Sequence, residues 1–340
     1  MELSTELGLI EEIKKWTHSD LIGDDCAILS FNGPVLASTD SLVENVHFRL
    51  STTSFFDLGY KSAAVNLSDI AAMSGKPRQI LISLVLPDYV KRDQLHQFYL
   101  GLNDCCSRYD TVIAGGNLTS STQFSINITI LGEAHEQGIA QRNTAKVGDL
   151  IVASGDFGAS AAGFHLLNSK DESLRSRANK EFSYCLERHN KPEPRLELSW
   201  QMIERSKNLA MMDTSDGLAD ALLQMSKASG VSFEVDLASI RIHEQTRKAA
   251  LVLGLSPFEL AFYGGEDYEL LACVSKSDWQ EIKESFKEHE VAPLEVIGKV
   301  IKNDAGSVKL IQTDQIQWDD CLNMDRIFNH FEKSKKGDKQ

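Results

Sequence analysis

Four short acidic segments, far apart in the chain, limit what it can fold into: Gly23-Asp24-Asp25, Ser38-Thr39-Asp40, Asp213-Thr214-Ser215-Asp216-Gly217 and Gly264-Gly265-Glu266-Asp267. Each sets carboxylates beside glycine or hydroxyl residues. If a fold gathers them, two carboxylates about 4 Å apart at an effective dielectric near 20 repel by roughly 4 kcal/mol, so cations must hold such a site together. Mg²⁺ with phosphates meets that need. It takes hard oxygen ligands, keeps several waters and is commonly shared by one or two carboxylates and substrate phosphates.

The chain of 340 residues is 42% hydrophobic, enough for two globular domains with substantial cores. Its net charge of −14 argues against nucleic acid or an anionic membrane surface as a partner, because both require clustered Lys and Arg. The first residues include Glu2, Glu6, Glu11 and Glu12, unlike a basic signal-peptide start, and no apolar run reaches membrane-spanning length. The six cysteines lack a CxxC pair, which suggests neither a disulfide framework nor a zinc site. The expected setting is a reducing cytoplasm.

Hydrophobic periodicity predicts a strand over 34–38 and a helix beginning at Ser54, where Asp57 completes a capping box and Gly75 with Pro77 stops it. A strand over 78–86, a helix over 92–107 and strands over 111–114 and 121–133 follow. The polar stretch 142–149 sets a domain boundary near Thr144, giving domains 1–143 and 144–333 and a polar tail 334–340. Downstream, strands are expected over 150–154, 231–236, 268–274 and 308–312, and helices over 195–205, 216–229 and 278–289.

Each segment also has a plain reading. Asp24 and Asp25 suit a simple turn. Asp40 is expected at the end of its strand, where loops gather functional groups, with His47 near enough to share that loop as a substrate contact or as a surface histidine. Asp69, in an alanine-rich helix, either faces water or is aimed at a site, and Lys61 and Asn66 extend a polar stripe beside it. Thr214 or Ser215 can cap the helix that follows, while Asp213 ends a short strand over 209–212; strand-to-helix turns of this kind are ready phosphate sites. Gly115-Gly116 reads as a loop that lets the backbone approach a ligand. The chain has no Walker A loop, no protein-kinase motif set, no HExxH and no GxSxG, so phosphoryl transfer here would need another design.

Taken in order, five motifs resemble the thiamine-monophosphate kinases, within the superfamily that includes aminoimidazole ribonucleotide synthetase and selenophosphate synthetase. They are Ile22-Gly23-Asp24-Asp25-Cys26-Ala27; Ser38-Thr39-Asp40-Ser41-Leu42-Val43 with His47-Phe48; Lys61-Ser62-Ala63-Ala64-Val65-Asn66-Leu67-Ser68-Asp69; Asp213-Thr214-Ser215-Asp216-Gly217-Leu218; and Gly264-Gly265-Glu266-Asp267-Tyr268-Glu269-Leu270. The resemblance implies a two-domain α/β (α+β) fold of mixed sheets with flanking helices, and a homodimer formed through the N-terminal domain. It also implies direct, in-line transfer of the ATP γ-phosphate to thiamine monophosphate, without a phosphoenzyme or a protein nucleophile.

By the same resemblance, Asp25, Ser38, Thr39, Asp40, Asp69, Asn117, Asp213 and Asp216 bind several Mg²⁺ ions, and Gly116, Asn117, Arg142 and Ser215 contact ATP. His47, Glu266 and Trp318 contact the thiamine substrate. Two positions depart from the family pattern: Asn117 stands where an aspartate is usual, and Trp318-Asp319-Asp320-Cys321 replaces an aromatic-Asp-His-Phe sequence. Other acceptors within the superfamily, or a non-catalytic protein that binds nucleotide or divalent cations, are the alternative readings.

Overall fold

The computed structural model describes residues 6–22, 26–206, 208–286, 292–302, 306–312 and 322. A first sheet takes β1 (Val35–Val43), β2 (Lys76–Leu86), β3 (Val112–Ser120) and β4 (Ser125–Glu133) in the order β1-β4-β2-β3. Only β2 and β3 run parallel. Alternation decides its faces: Ile126, Ile128 and Ile130 on β4 and Ile80, Ile82 and Leu84 on β2 are buried. Their intervening neighbours Asn127, Thr129, Leu131, Ser83 and Val85 turn to the opposite face and are half-buried.

Helix α1 (Glu6–Thr17) lies against α3 (Arg92–Ser107), and α3 packs on α2 (Phe55–Ala72), which lies over the buried face of the sheet. The start of α2 follows its local chemistry: Ser54 Oγ accepts the Asp57 amide hydrogen at 3.0 Å. Fourteen of its residues, including Lys61, Ser62, Asn66 and Ser68, are buried. Burial on every side means that α2 is not a surface helix, because a second domain packs on the side that the first sheet leaves open.

That second sheet contains β5 (Leu150–Ser154), β6 (Ala210–Asp213), β7 (Ser232–Asp236), β8 (Leu270–Val274), β9 (Leu294–Ile301) and β10 (Val308–Ile311), ordered β10-β7-β9-β5-β8-β6. All its neighbours are antiparallel except β10 and β7. Its helices are α4 (Ala159–Leu167), α5 (Glu172–Glu181), α6 (Ser183–Asn190), α7 (Leu196–Arg205), α8 (Leu218–Ser229), α9 (Glu244–Leu253), α10 (Pro257–Tyr263) and α11 (Lys276–Ser285). One apolar cluster runs from Ile80 and Ile128 through Leu67 to Met202, Met211, Leu270 and Val274, joining α2, α7 and one face of the second sheet. Helices α8 and α10 close the other face around Phe233, Leu222 and Phe262.

The structure corrects several expectations. Strand β1 extends to Val43, so Asp40 lies inside the strand opposite Ile128 rather than at its end. Nine consecutive pairings with β4 define that strand, and its own hydrophobicity does not show them. Strand β3 likewise runs through Gly115 and Gly116, which pair with Leu81 and Ile82. A Cβ on Gly116 would stand 1.8 Å from the Ile82 carbonyl oxygen, so strand packing accounts for this glycine without a phosphate loop. Helix α8 starts at Leu218 with Gly217 as its N-cap, not Thr214 or Ser215, and β8 starts at Leu270 rather than Tyr268.

Candidate active site

Helix α2 carries the site on the side it turns toward the second domain. Residues seven apart fall on nearly the same helix face, so Lys61 and Ser68 point the same way, with Asp69 beside them. Ser68 Oγ donates to Asp213 Oδ2 at 2.7 Å. Ser38 Oγ, from β1, donates to Asp69 Oδ2. Three segments from both halves of the chain therefore meet at α2, and Asp40 shares the face of β1 on which Ser38 lies.

The electrostatics record this convergence. Burial, then the charges of Asp69 and Asp216, push the Asp40 carboxyl up to about 6. Burial also raises Asp69, against the opposing Ser38 hydrogen bond and the Arg142 guanidinium. Asp213, 8% exposed, is raised by burial and by Asp69 and Asp40. Like charges held this close favour protonation or a cation. Arg142 Nη1 donates to Gln224 Oε1 at 2.7 Å, leaving its charge near both Asp69 and Asp220.

Among the described residues, no three His, Cys, Asp or Glu side chains close on a single point tightly enough to hold one metal ion. The carboxylates form a loose ring of hard oxygen donors that repel one another. That donor set fits Mg²⁺, which keeps part of its water shell and takes its remaining ligands from phosphates.

A second group of residues lies along α2 toward its N-terminus. Glu266 and Tyr268 both have left-handed backbones, with φ of 57° and 51°. Non-glycine residues rarely adopt this conformation unless their surroundings hold them there. The Glu266 amide donates to the Ser215 carbonyl at 2.6 Å and the Tyr268 amide to the Thr214 carbonyl at 3.4 Å, which ties the two acidic turns together. Glu266 Oε2 lies 3.1 Å from Lys61 Nζ and 3.4 Å from His189 Nδ1. Burial would raise this carboxylate, but Lys61 and His189 outweigh it and hold Glu266 below its usual range. His47 accepts the Val43 amide hydrogen on Nδ1 at 3.0 Å, and its field also reaches Glu266.

Behind these turns lies a charged foundation. Asp267 accepts the Gly158 and Ser160 amide hydrogens at 2.7 and 3.2 Å at the start of α4, and burial pushes it up to about 7. Fully buried Glu269 is gripped by Arg195 at 2.7 and 2.6 Å, by Arg188 at 2.8 Å and by Ser154 at 2.5 Å.

Of the residues singled out in the sequence, Ser38, Asp40, Asp69, Arg142, Asp213, Ser215 and Asp216 gather around the acidic ring, and His47 lies with Glu266. The Thr39 side chain faces the other side of the sheet, where its Oγ1 donates to the Ile128 carbonyl at 3.0 Å. Gly116 and Asn117 lie on the far edge strand: Asp40, Ile128, Ile82 and Gly116 form one row across the sheet, about 14 Å at ordinary strand spacing. Asp25 and Trp318 lie outside the described residues. Sequence reasoning gave no role to Ser68, His189, Arg188 or Arg195. Lys61 alone carried a signal, as a lysine inside an alanine-rich stretch of helix.

Comparison with known proteins agrees with this architecture. The family model described as AIR synthase related protein, N-terminal domain, matches residues 23–134, and its C-terminal counterpart matches residues 146–311. The thiamine-monophosphate kinase of Bacillus subtilis is 34% identical over 334 residues, covering 96% of this chain and 99% of that protein. The thiamine-monophosphate kinase of Synechococcus elongatus is also 34% identical, covering 96% of each chain. Among solved structures, AaThiL complexed with AMPPCP and TMP superposes with a TM-score of 0.73 at 31% identity, covering 90% of this chain and 93% of that one. The thiamine monophosphate kinase from Aquifex aeolicus gives 0.72 at 31% identity, covering 90% and 95%. The acidic ring, the two-sheet frame and full-length similarity converge, and the chain belongs to the thiamine-monophosphate kinase family of AIR synthase related proteins.

Proposed function

We propose that the protein transfers the γ-phosphoryl group of ATP to thiamine monophosphate, giving ADP and thiamine diphosphate. One observation carries this reading: Ser38–Asp69 and Ser68–Asp213 hydrogen bonds draw acidic segments from both domains to one helix. Asp40, Asp69, Asp213 and Asp216, with Ser38, would hold Mg²⁺. Bound there, the ions would neutralise phosphate charge and stabilise the charge on the transferring group.

The chain's own side chains position the two substrates. Arg142, beside Asp69, offers its guanidinium fork to nucleotide phosphate oxygens, and Ser215 lies in the same turn as Asp213 and Asp216. His47 and Glu266 flank the acceptor, and Lys61 and His189 fix the Glu266 carboxylate. Direct in-line transfer asks the protein mainly for positioning and charge neutralisation, which these groups would supply.

The reading extends to assembly and setting. The first-sheet face carrying Thr39, Thr129, Leu81 and Val85 has no helix packed over it among the described residues, so a second copy docking there would make a homodimer through residues 1–143. Gly116 and Asn117 belong to the nucleotide side in this proposal, with Asn117 able to offer a carbonyl oxygen but no charge. Residues 144–333 would complete the nucleotide and acceptor site. No described helix is long and apolar enough to cross a membrane, and the free thiols of Cys105, Cys106, Cys185 and Cys273 suit a cytoplasmic enzyme.

Purified protein incubated with ATP, Mg²⁺ and thiamine monophosphate is expected to form thiamine diphosphate and ADP in equal amounts, read by chromatography. Bound ATP with no thiamine diphosphate would overturn the assignment.

A further inference from the structure

Two half-buried residues of α8, Asp220 and Gln224, have no part in the binding scheme described so far, yet they hold one of its members. Gln224 Oε1 accepts from Arg142 Nη1 at 2.7 Å, and Gln224 Nε2 donates to Asp220 Oδ2 at 2.5 Å. A guanidinium can only donate, so the carbonyl end of the amide faces Arg142 and the NH₂ end is left for the Asp220 carboxylate. Arg142, Gln224 and Asp220 thus form a relay with a fixed direction.

The helix builds this relay from its own spacing. Asp220 and Gln224 are four residues apart, which brings their side chains together on one face. Leu218, Ala221, Leu222 and Met225 are buried in the core of the second domain and seat the helix there. The end of the same helix holds the Arg142 main chain: Ser229 Oγ donates to the Arg142 carbonyl at 3.0 Å and accepts the Ala145 amide hydrogen at 3.2 Å. One seated helix therefore grips Arg142 at backbone and side chain, although the residue itself is exposed. Burial raises the Asp69 and Asp220 carboxyls, and the Arg142 charge works against it at both, which puts the guanidinium between the acidic ring and α8.

We infer that Gln224 is a positioning residue for the nucleotide: anchored by Asp220, its neutral carbonyl holds the Arg142 guanidinium ready for the phosphate oxygens of ATP without cancelling its charge. The inference rests on the nucleotide role given to Arg142 above and deepens it. An exposed arginine otherwise samples many rotamers, and a ligand that binds it must order it. Gln224 does that ordering in advance. A guanidinium carries five N–H donors, so holding one leaves the others for phosphate.

The test measures the KM for ATP and for thiamine monophosphate in wild type, Gln224→Met, Arg142→Ala and the double variant. Methionine keeps the length of glutamine and removes both hydrogen bonds. Gln224→Met is expected to raise the KM for ATP about fivefold and to leave that for thiamine monophosphate within about twofold of wild type. In the Arg142→Ala background the same change should add less than about twofold, because the side chain that Gln224 positions is gone. A wild-type KM for ATP in Gln224→Met or in Arg142→Ala, an equal rise for both substrates, or the full effect of Gln224→Met persisting in the double variant overturns the inference while leaving the kinase assignment intact. Wild type that makes no thiamine diphosphate overturns the kinase assignment and this inference with it. Should Gln224→Met fail to fold, Asp220 decides: Asp220→Asn removes the charge but keeps an acceptor for the amide, and Asp220→Ala removes both. A higher KM for ATP in Asp220→Ala than in Asp220→Asn then supports the relay, and equal values overturn it.

Discussion

Ser68, about three-quarters of the way along the central helix of the first domain, donates its hydroxyl hydrogen to Asp213 Oδ2 at 2.7 Å, at the end of a strand in the second domain. This bond joins the domains at the point where burial and two other carboxylates, Asp69 and Asp40, raise the cost of keeping Asp213 ionised. The site is thus strained in the absence of cations and relieved by them, which makes its behaviour measurable.

Replacing Asp213 with Asn keeps the shape and the Ser68 contact but removes a buried charge. Turnover should fall by roughly a hundredfold or more. Metal-free protein should melt about 1–2 °C higher, because the mutual repulsion with Asp69 and Asp40 is gone. Near-normal kcat in this variant would remove Asp213 from the site.

The raised carboxyls also set a pH dependence. A carboxyl whose folded value lies above its unfolded one stabilises the fold below the unfolded value and loses that stabilisation as pH rises through the folded one. For Asp40 the window runs from its ordinary 3.8 to about 6, and Asp213 acts in the same direction. Metal-free melting temperature should therefore fall between pH 4 and pH 7 relative to that of Asp40→Asn, a comparison in which the buried histidines cancel, and added Mg²⁺ should raise the wild-type value more at pH 8 than at pH 5. A magnesium effect independent of pH would contradict this.

Lys61→Met deletes the cation that holds Glu266. Because Lys61 is 2% exposed and Glu266 about a third exposed, the stability cost should be on the order of 1–3 kcal/mol, less than for a fully buried pair. The KM for thiamine monophosphate should rise about tenfold while the KM for ATP stays near wild type, because only the acceptor side loses its carboxylate geometry. Parallel loss of both would point to a general collapse of the cleft.

Glu269→Gln leaves Arg188 and Arg195 facing a neutral group in a fully buried site. A loss of about 3–5 kcal/mol is expected, seen as a large drop in the urea midpoint. An unchanged midpoint would mean that the arginines find other partners.

Gly116→Ala separates two readings of one glycine. If strand packing requires it, the added methyl meets the Ile82 carbonyl and the protein loses stability with or without ATP. If only nucleotide approach requires it, stability is unchanged and the KM for ATP alone rises.

The sequence by itself determined the local elements and the identity of the chemistry. Ser54 and Asp57 mark the start of the central helix, alternation marks β4, and the ordered acidic motifs mark a family whose phosphate chemistry needs hard cations. These features depend on neighbours a few residues apart, so they are legible in one dimension. Tertiary structure alone decided that Asp40 lies within a strand, because the nine-residue ladder to β4 lengthens β1 beyond its apolar part. It decided that Gly116 answers to β2, that Lys61 meets Glu266 across 205 residues, and that an otherwise ordinary histidine, His189, faces the same carboxylate. Such pairings carry no local signal, because a buried charge or hydroxyl finds its partner through the packing of two domains on a shared helix.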